Sequence, residues 1–423
     1  MTDKDFIPQK ELKALQLTRL QDVLKRVYAN VGFFRKRFDE AAFRPENIKS
    51  TEDIRSLPFT GKTDLLDNYP YGFLAVPMED VVRLDAVTTD KPLLAFYARE
   101  DIAMWSSAVK RCLLASGIDK TDIIQDLYSR GGWGVHYGTE ALGAAAISPA
   151  AGSARVQIKL MRELGVTAVC CTPSYFNLIV EQAEEMGVDL RELSLKTGIF
   201  GAELWTEEMR SCIEESSGIK AYDIYGLAEI INPGIAVECE FRNGLHILED
   251  LFYPEIISPE TGEALPDGET GELVLTTLAS RAMPLVRYRT GDITRIMPGK
   301  CECGRTLRRI ERISTRSEDM ITVQGINISP SQIEAALLSI KGTLPHYNII
   351  LYSENGMDGI EVNVEITEAI FSDKIRSLEA FQHSLISAIE QVLGLRVKLK
   401  LVAPGSIQRS ESKTQRVIDH RNK

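Results

Sequence analysis

The chain has 423 residues, a net charge of −11 and 44% apolar residues. That length exceeds one comfortable hydrophobic core, so two or more domains are expected, and an acidic balance without a long basic run argues against nucleic acid or an anionic membrane surface as partner. Seven cysteines, an odd number in so long a chain, suit reduced thiols, and with neither a secretory leader nor a run of roughly 18 apolar residues the expectation is a cytoplasmic protein.

Residues 10–40 place apolar side chains at helical spacing with basic residues between them, which predicts a surface helix pair or one long helix. The stretch RLDAVTTDKPLLAFY, residues 83–97, carries two threonines, an acid and a lysine before turning apolar. It has the look of a phosphate-gripping turn without glycine. From about residue 80 to 230 short apolar segments alternate with amphipathic ones: TDIIQDLYS, a helix-like TEALGAAA, RVQIKLMRELG, VTAVCCTPS, SYFNLIVEQAEEMG and TGIFGAE. Strand and helix taking turns implies a largely parallel sheet with helices packed on it.

From about 240 to 316 the helices stop, and GLHILED, YPEIISPETGEALPDGETGELVLTTL and RYRTGDITRI read as strands joined by tight turns, an antiparallel β subdomain. After Arg316 the order changes again. MITVQGINI is strand-like, and SPSQIEAALLSI opens a helix with Ser329 as N-cap, Pro330 in the first position and Gln332 as the reciprocal partner. The remainder, through SLEAFQHSLISAIEQVLG and RVKLKLVAPG, reads as a compact α+β module. The expected organisation is an α/β domain over residues 1–316 and a small domain over 317–423.

Four polar clusters stand out. Tyr225-Gly226-Leu227-Ala228-Glu229 ends a strand with a carboxylate, where open α/β sheets bind ligands. Tyr288-Arg289-Thr290-Gly291-Asp292 presents an acid able to accept from a ribose diol. Thr315-Arg316-Ser317-Glu318-Asp319 lies at the boundary, and Ser406 to Ile418 is a polar loop carrying Lys413. Taken singly, each is as readily an ordinary turn or a solvated loop.

Their order resembles the adenylate-forming acyl-CoA ligase superfamily, and within it the phenylacetate-CoA ligase branch. The likeness runs along the whole chain through LPFTGKTDL, GGWGVHYGTEALGA, CCTPSY, GIFGAELWTEEMR, YDIYGLAEIINPG, MPLVRYRTGDITR, RSEDMITVQGINISPSQIE and KTQRVID. It implies a large N-terminal α/β domain with a β subdomain, and a C-terminal lid turning about a hinge at Glu318. It implies a reaction of carboxylate and ATP to acyl-AMP and pyrophosphate, followed by attack of the coenzyme A thiol. By position, Lys413 would reach the α-phosphate, Glu229 would bind Mg²⁺, Asp292 would hold the ribose hydroxyls and Arg316 would contact ribose or phosphate. Gly201, Ala202 and Glu203 would wall the adenine beside Tyr225 and Gly226. Thr88, Thr89 and Lys91 would hold the outer phosphates, and Tyr128, Trp133, His136 and Tyr137 would line the acid pocket. A homodimer is also implied.

Three departures qualify the likeness. The phosphate segment is shorter than the family's glycine-rich loop, lacks glycine and puts Asp90 before the lysine. A forced positive φ on a non-glycine residue costs about 1–2 kcal/mol, and an acid beside a triphosphate repels it. Ala228 stands where the superfamily usually has a hydroxyl. Trp133 replaces a smaller residue; pointing inward it would reshape the acid pocket, and pointing outward it would pack on the helix. Three readings stay open: an ATP-dependent ligase for a phenylacetate-like acid, a member that binds acyl-AMP, AMP or a CoA thioester without activating acids, or a purely structural or regulatory partner.

Cys239, His246, Cys301 and Cys303 offer three thiolates and an imidazole for a structural zinc clipping two parts of the β subdomain. The alternative is four unrelated reduced side chains.

Overall fold

The computed structural model describes residues 3–87, 92–128, 132–147, 152–313, 315–316, 320–324, 326–354, 357–367, 370, 375–409 and 416–421. The N-terminal helices are a pair. α1 (Gln9–Asn30) buries Leu12, Gln16, Leu20, Val23, Leu24 and Val27 on one face, and extended backbone at Val31 breaks the run before α2 (Gly32–Glu40) inserts Phe34 and Phe38. After α3 (Lys62–Asp67), β1 (Val81–Val87) and β2 (Leu93–Ala98) pair antiparallel as an isolated two-stranded sheet. The described parts of the stretch RLDAVTTDKPLLAFY are therefore two paired strands, and Thr88, Thr89 and Lys91 between them lie outside the described residues.

The alternating region then unfolds as expected: α4 (Arg99–Ala115), β3 (Ile123–Asp126), α5 (Trp133–Leu142), β4 (Ala145–Ile147), α6 (Ala154–Leu164), β5 (Ala168–Cys171), α7 (Pro173–Glu185), β6 (Thr197–Phe200), α8 (Glu207–Ser217) and β7 (Lys220–Leu227). TEALGAAA is not helical throughout. Gly143 adopts the left-handed conformation at φ 86°, ends α5, and lets the following alanines enter β4. Strands β4, β3, β5, β6 and β7 run parallel in that spatial order. Successive residues of β5 face opposite sides: Ala168 and Cys170 join the core under α1 and α4, whereas Val169 and Cys171 join the core under α6, α7 and α8. A sheet buried on both faces explains why these strands read as unbroken apolar runs.

The stretch from 240 to 316 departs from expectation. Instead of one antiparallel unit it supplies strands to two sheets. β8 (Ile231–Glu238), β9 (Leu245–Ile247), β13 (Ile296–Met297) and β14 (Arg309–Ile310) extend the parallel sheet antiparallel beyond β7, in the order β13-β14-β9-β8-β7. β10 (Phe252–Ile257), β11 (Gly271–Thr277), β12 (Tyr288–Thr294) and β15 (Thr315–Arg316) form a separate antiparallel sheet. Turn signals mark where strands end, but which edge a strand joins is a tertiary decision.

Beyond residue 320, β16 (Ile321–Val323) and β17 (Ile326–Ile328) form a hairpin and α9 (Pro330–Leu338) follows. The predicted cap is present: the Ser329 N–H donates to Gln332 Oε1 at 2.9 Å and the Ser331 N–H donates to Ser329 Oγ at 3.3 Å. β18 (Thr343–Glu354), β19 (Met357–Ile366), the helix Ile375–Leu393, β20 (Lys398–Val402) and β21 (Val417–Asp419) complete it around a core of its own, made of residues from Ile321 onward. Among the described residues no helix is long and apolar enough to cross a membrane.

Candidate active site

β6, β7, β12 and β15 and the turn after β6 border a cleft lined by Gly201, Ala202, Glu203, Asp223, Tyr225, Gly226, Asp292 and Arg316, among others. Gly201 is required by close approach, since a Cβ there would lie 2.3 Å from the Ile224 carbonyl oxygen. Ala202 then takes φ 68°, a left-handed turn costing about 1 kcal/mol for a residue with a Cβ. That turn throws Glu203 back onto the start of α7, where its carboxylate accepts from the Ser174 N–H at 2.6 Å and the Ser174 hydroxyl at 3.0 Å. A carboxylate at a helix N-terminus is favoured by its unpaired amides. The wall is thereby tied to the CCTPSY segment, a partnership the sequence does not announce.

Asp292 is fully buried. Its register partner across the sheet is Arg316, whose Nε lies 2.7 Å from Oδ1, and the Tyr225 hydroxyl donates to Oδ2 at 2.5 Å. Burial pushes the Asp292 carboxyl up, and Arg316 and Tyr225 pull it down only in part. Three of the expected site residues, from three separated motifs, thus meet at one point.

Glu229 lies not beyond a free strand end but in the tight turn between β7 and β8. Gly226 permits the bulge there, because a Cβ would lie 2.7 Å from the Ile231 carbonyl oxygen. The Glu229 carboxylate accepts from the Tyr288 hydroxyl at 3.2 Å, which places it beside the RYRTGD strand. Lys413 and Glu318 fall outside the described residues.

The aromatic group of GGWGVHYG is arranged differently from expectation. Gly134 and Gly138 form the packed face of α5: a Cβ at Gly134 would lie 2.3 Å from Trp105 Nε1, and one at Gly138 2.5 Å from Val109 Cγ1. Trp133, on the far side, is 50% exposed with the Arg83 guanidinium 5.1 Å from its ring centre. It therefore points outward and does not shrink an internal pocket. Tyr137 accepts from Arg83 at 3.4 Å and sits half-buried with its ring edge-on to Trp105, and His136 Nε2 lies 3.3 Å from Glu140 while its Nδ1 is buried. Tyr128 does lie inside, and its hydroxyl has no partner among the described residues.

Beside it is a residue that sequence reading missed. Asp126, at the end of β3, is buried, accepts from the Tyr128 N–H at 3.0 Å and has no cation near it among the described residues, so burial pushes its carboxyl up to about 8. A Cβ on Gly132 would lie 2.2 Å from Asp126 Oδ2, so this glycine at the head of α5 makes room for the carboxyl. The acid inside an apolar strand, IIQD, was its only signal.

The lid meets the body at two places. Arg409 donates to Glu365 of β19 at 2.7 and 2.8 Å and to Glu181 of α7 at 3.0 and 3.2 Å, and His346 Nε2 closes on Glu181. On the other side Leu338 of α9 packs against the body core. Next to it burial pushes the Glu334 carboxyl up, against the pull of Arg416 at 3.3 Å and the Tyr347 hydroxyl at 3.0 Å, while Glu203 across the interface adds to the rise.

Cys239, His246, Cys301 and Cys303 converge, with one ligand atom from each lying within 4.8 Å of the others. Cys239 and Cys301 sulfurs are 3.7 Å apart, and Cys303 Sγ is 3.4 Å from His246 Nε2. A tetrahedral zinc with ordinary bond lengths would set those edges at about 3.7 and about 3.5 Å. His246 Nδ1 lies 3.1 Å from the Leu307 carbonyl, which orients the ring with Nε2 toward the thiols. The donor set fits zinc in type, number and spacing.

Residues 110–279 match the family model described as AMP-binding enzyme, and residues 325–421 match AMP-binding enzyme C-terminal domain. A phenylacetate-coenzyme A ligase from Pseudomonas putida is 43% identical over 97% of this chain and 94% of its own length. One from Thermus thermophilus is 40% identical over 99% and 98%. Among solved structures, 2-hydroxyisobutyryl-CoA ligase in its postadenylation state, bound to an acyl-AMP, superposes with TM-score 0.93 at 30% identity over 99% of this chain and 92% of that one. The same enzyme in the thioesterification state, with coenzyme A as well, gives 0.72 over the same shares. One sequence yields both scores, so the difference is one of domain arrangement, and the present lid stands as in the postadenylation state.

Proposed function

This chain belongs to the phenylacetate-coenzyme A ligase family of AMP-binding enzymes, and from that premise we propose that it activates an aromatic, phenylacetate-like acid with the residues gathered around Asp292. The overall reaction is that of an acid–thiol ligase: ATP-dependent conversion of a carboxylic acid to acyl-AMP, then transfer to coenzyme A. The meeting of Tyr225, Asp292 and Arg316 beside the Gly201-Ala202-Glu203 wall carries the site assignment.

In this reading the adenine lies along Gly201 to Glu203 and the ribose hydroxyls reach Asp292. Because Asp292 is closed over by Arg316, the arginine shifts from carboxylate to ribose or phosphate as nucleotide enters. An acid oxygen attacking the α-phosphorus builds negative charge, and cations placed in advance stabilise it. Lys413, from the lid taken as residues 317–423 with its hinge at Glu318, supplies one. Glu229 is a hard oxygen donor fitted to Mg²⁺, which would neutralise phosphate charge there. Thr88, Thr89 and Lys91 bind the outer phosphates through side chains. Tyr128, His136 and Tyr137 line the acid pocket, while Trp133 packs outward. Zinc at the Cys239, His246, Cys301 and Cys303 cluster is structural, since four protein ligands leave no open position. The protein works in the cytoplasm as a homodimer.

Mg²⁺-dependent ATP–pyrophosphate exchange over a panel of aromatic and short acids tests the central reading, with exchange expected on aromatic acids. The glycine-free segment at 88–91 and Ala228 favour a second reading, a member that binds acyl-AMP, AMP or a CoA thioester only. Absence of exchange with every acid, alongside measurable AMP or coenzyme A binding, would select that one. Metal analysis before and after Cys301→Ser tests the zinc; protein without zinc in both preparations overturns it.

A further inference from the structure

Arg409 and Arg416 flank residues 410–415, which include Lys413 and lie outside the described residues, and both flanks are tied down by buried or half-buried carboxylates. On the first flank Glu365 is fully buried and takes four donors: the Gly405 N–H at 3.1 Å, the Ile407 N–H at 2.7 Å and two from Arg409. That carboxylate shapes the flank within the lid. The Arg409 guanidinium, saturated on one edge by Glu365, offers its other edge to Glu181, which belongs to the body and also holds His346. One planar fork thus spans two carboxylates from two domains, a geometry that lysine could not reproduce. On the second flank Arg416 donates to the Pro345 carbonyl at 3.0 Å and pairs with Glu334, the lid acid facing Glu203.

We propose that Glu181 is a positioning residue for the adenylation half-reaction: through Arg409 and His346 it clamps the flank of the Lys413 segment to the body and releases it when the lid turns. Rotation of the lid against the body separates Glu181 from both partners, while Arg409 keeps Glu365. The clamp therefore favours the first half-reaction alone. Its strength is self-limiting, since Glu181 is 29% and Arg409 21% exposed. A pair open to that extent is screened and breaks at modest cost, as an alternating lid requires.

The inference rests on the assignment of Lys413 to adenylation, so the two are tested together on the full-length protein. Glu181→Ala should slow ATP–pyrophosphate exchange about tenfold and leave thioester formation from supplied acyl-AMP and coenzyme A unchanged or faster. Its unfolding temperature should stay within about 2 °C of the parent. Arg409→Ala should also slow exchange, and Glu181→Ala added to it should cost less than it does alone, because only the His346 contact then remains to be lost. Glu181→Gln, which retains an acceptor, should fall between. Equal slowing of both half-reactions, or unchanged exchange in Glu181→Ala while Lys413→Ala abolishes it, overturns the clamp. Slow exchange in Glu181→Ala with intact exchange in Lys413→Ala removes the lysine assignment and leaves the clamp standing.

Discussion

The two ends of the proposed nucleotide site are built by opposite means. The adenine and ribose end is set against sheet: Gly201 follows β6, Tyr225 lies near the end of β7 and Asp292 within β12, and the polar groups of Tyr225 and Asp292 are paired inside the body. The proposed phosphate end rests on residues 88–91, between β1 and β2, and on Lys413, between Arg409 and Arg416, all outside the described residues. Affinity for AMP and the capacity to form it are thus lodged in different parts of the fold. A sheet cannot shift without unpairing strands, whereas a lid loop must move for thiol attack to follow adenylation.

If that division holds, Lys413→Ala should separate the ends most sharply. Exchange should fall by about 10³-fold, with AMP affinity and the thioester step from acyl-AMP nearly unchanged; equal loss of AMP binding would break the comparison. Asp292→Ala should do the reverse. It removes the ribose acceptor and leaves Arg316 and Tyr225 without their shared carboxylate, so the ATP KM should rise about 10²-fold with a smaller change in kcat. Steady-state kinetics checks it.

The body also carries a buried acid, Asp126, outside the nucleotide site. Asp126 keeps its proton in the folded state up to about pH 8, while unfolded aspartate releases it near pH 4. Folding is therefore penalised increasingly as pH rises between those values, fully so above 8. Asp126→Asn, neutral throughout, should match the parent near pH 4 and gain up to about 5 kcal/mol at pH 9, read as a rising difference in unfolding temperature. A gain independent of pH would mean that the carboxyl is neutral for another reason. The smallest effect belongs to Trp133→Ala. With the ring half exposed beneath Arg83, acid selectivity should be unchanged and stability altered by no more than about 0.5–1 kcal/mol.

Much of this was legible in the chain. The helix start at Ser329-Pro330 follows from local capping chemistry, and the alternation from 80 to 230 follows from period and length, because both are short-range. The cysteine cluster could be named from ligand chemistry although its members are up to 64 positions apart. Trp133 could not be oriented, since that depends on Gly134 and Gly138 facing α4, and two glycines on one helix face do not say what they face.

The sequence by itself determined the family, the order of elements and the residue types of the site, all properties of neighbours along the chain and of motif order. The tertiary structure alone decided that residues 240–316 divide between two sheets, that Asp292 closes on Arg316 and Tyr225, and that Glu181 reaches across to Arg409. Strand partnership and long-range ion pairs are settled by which surfaces meet in the folded state, and a linear pattern of charges and apolar residues leaves several such meetings equally good.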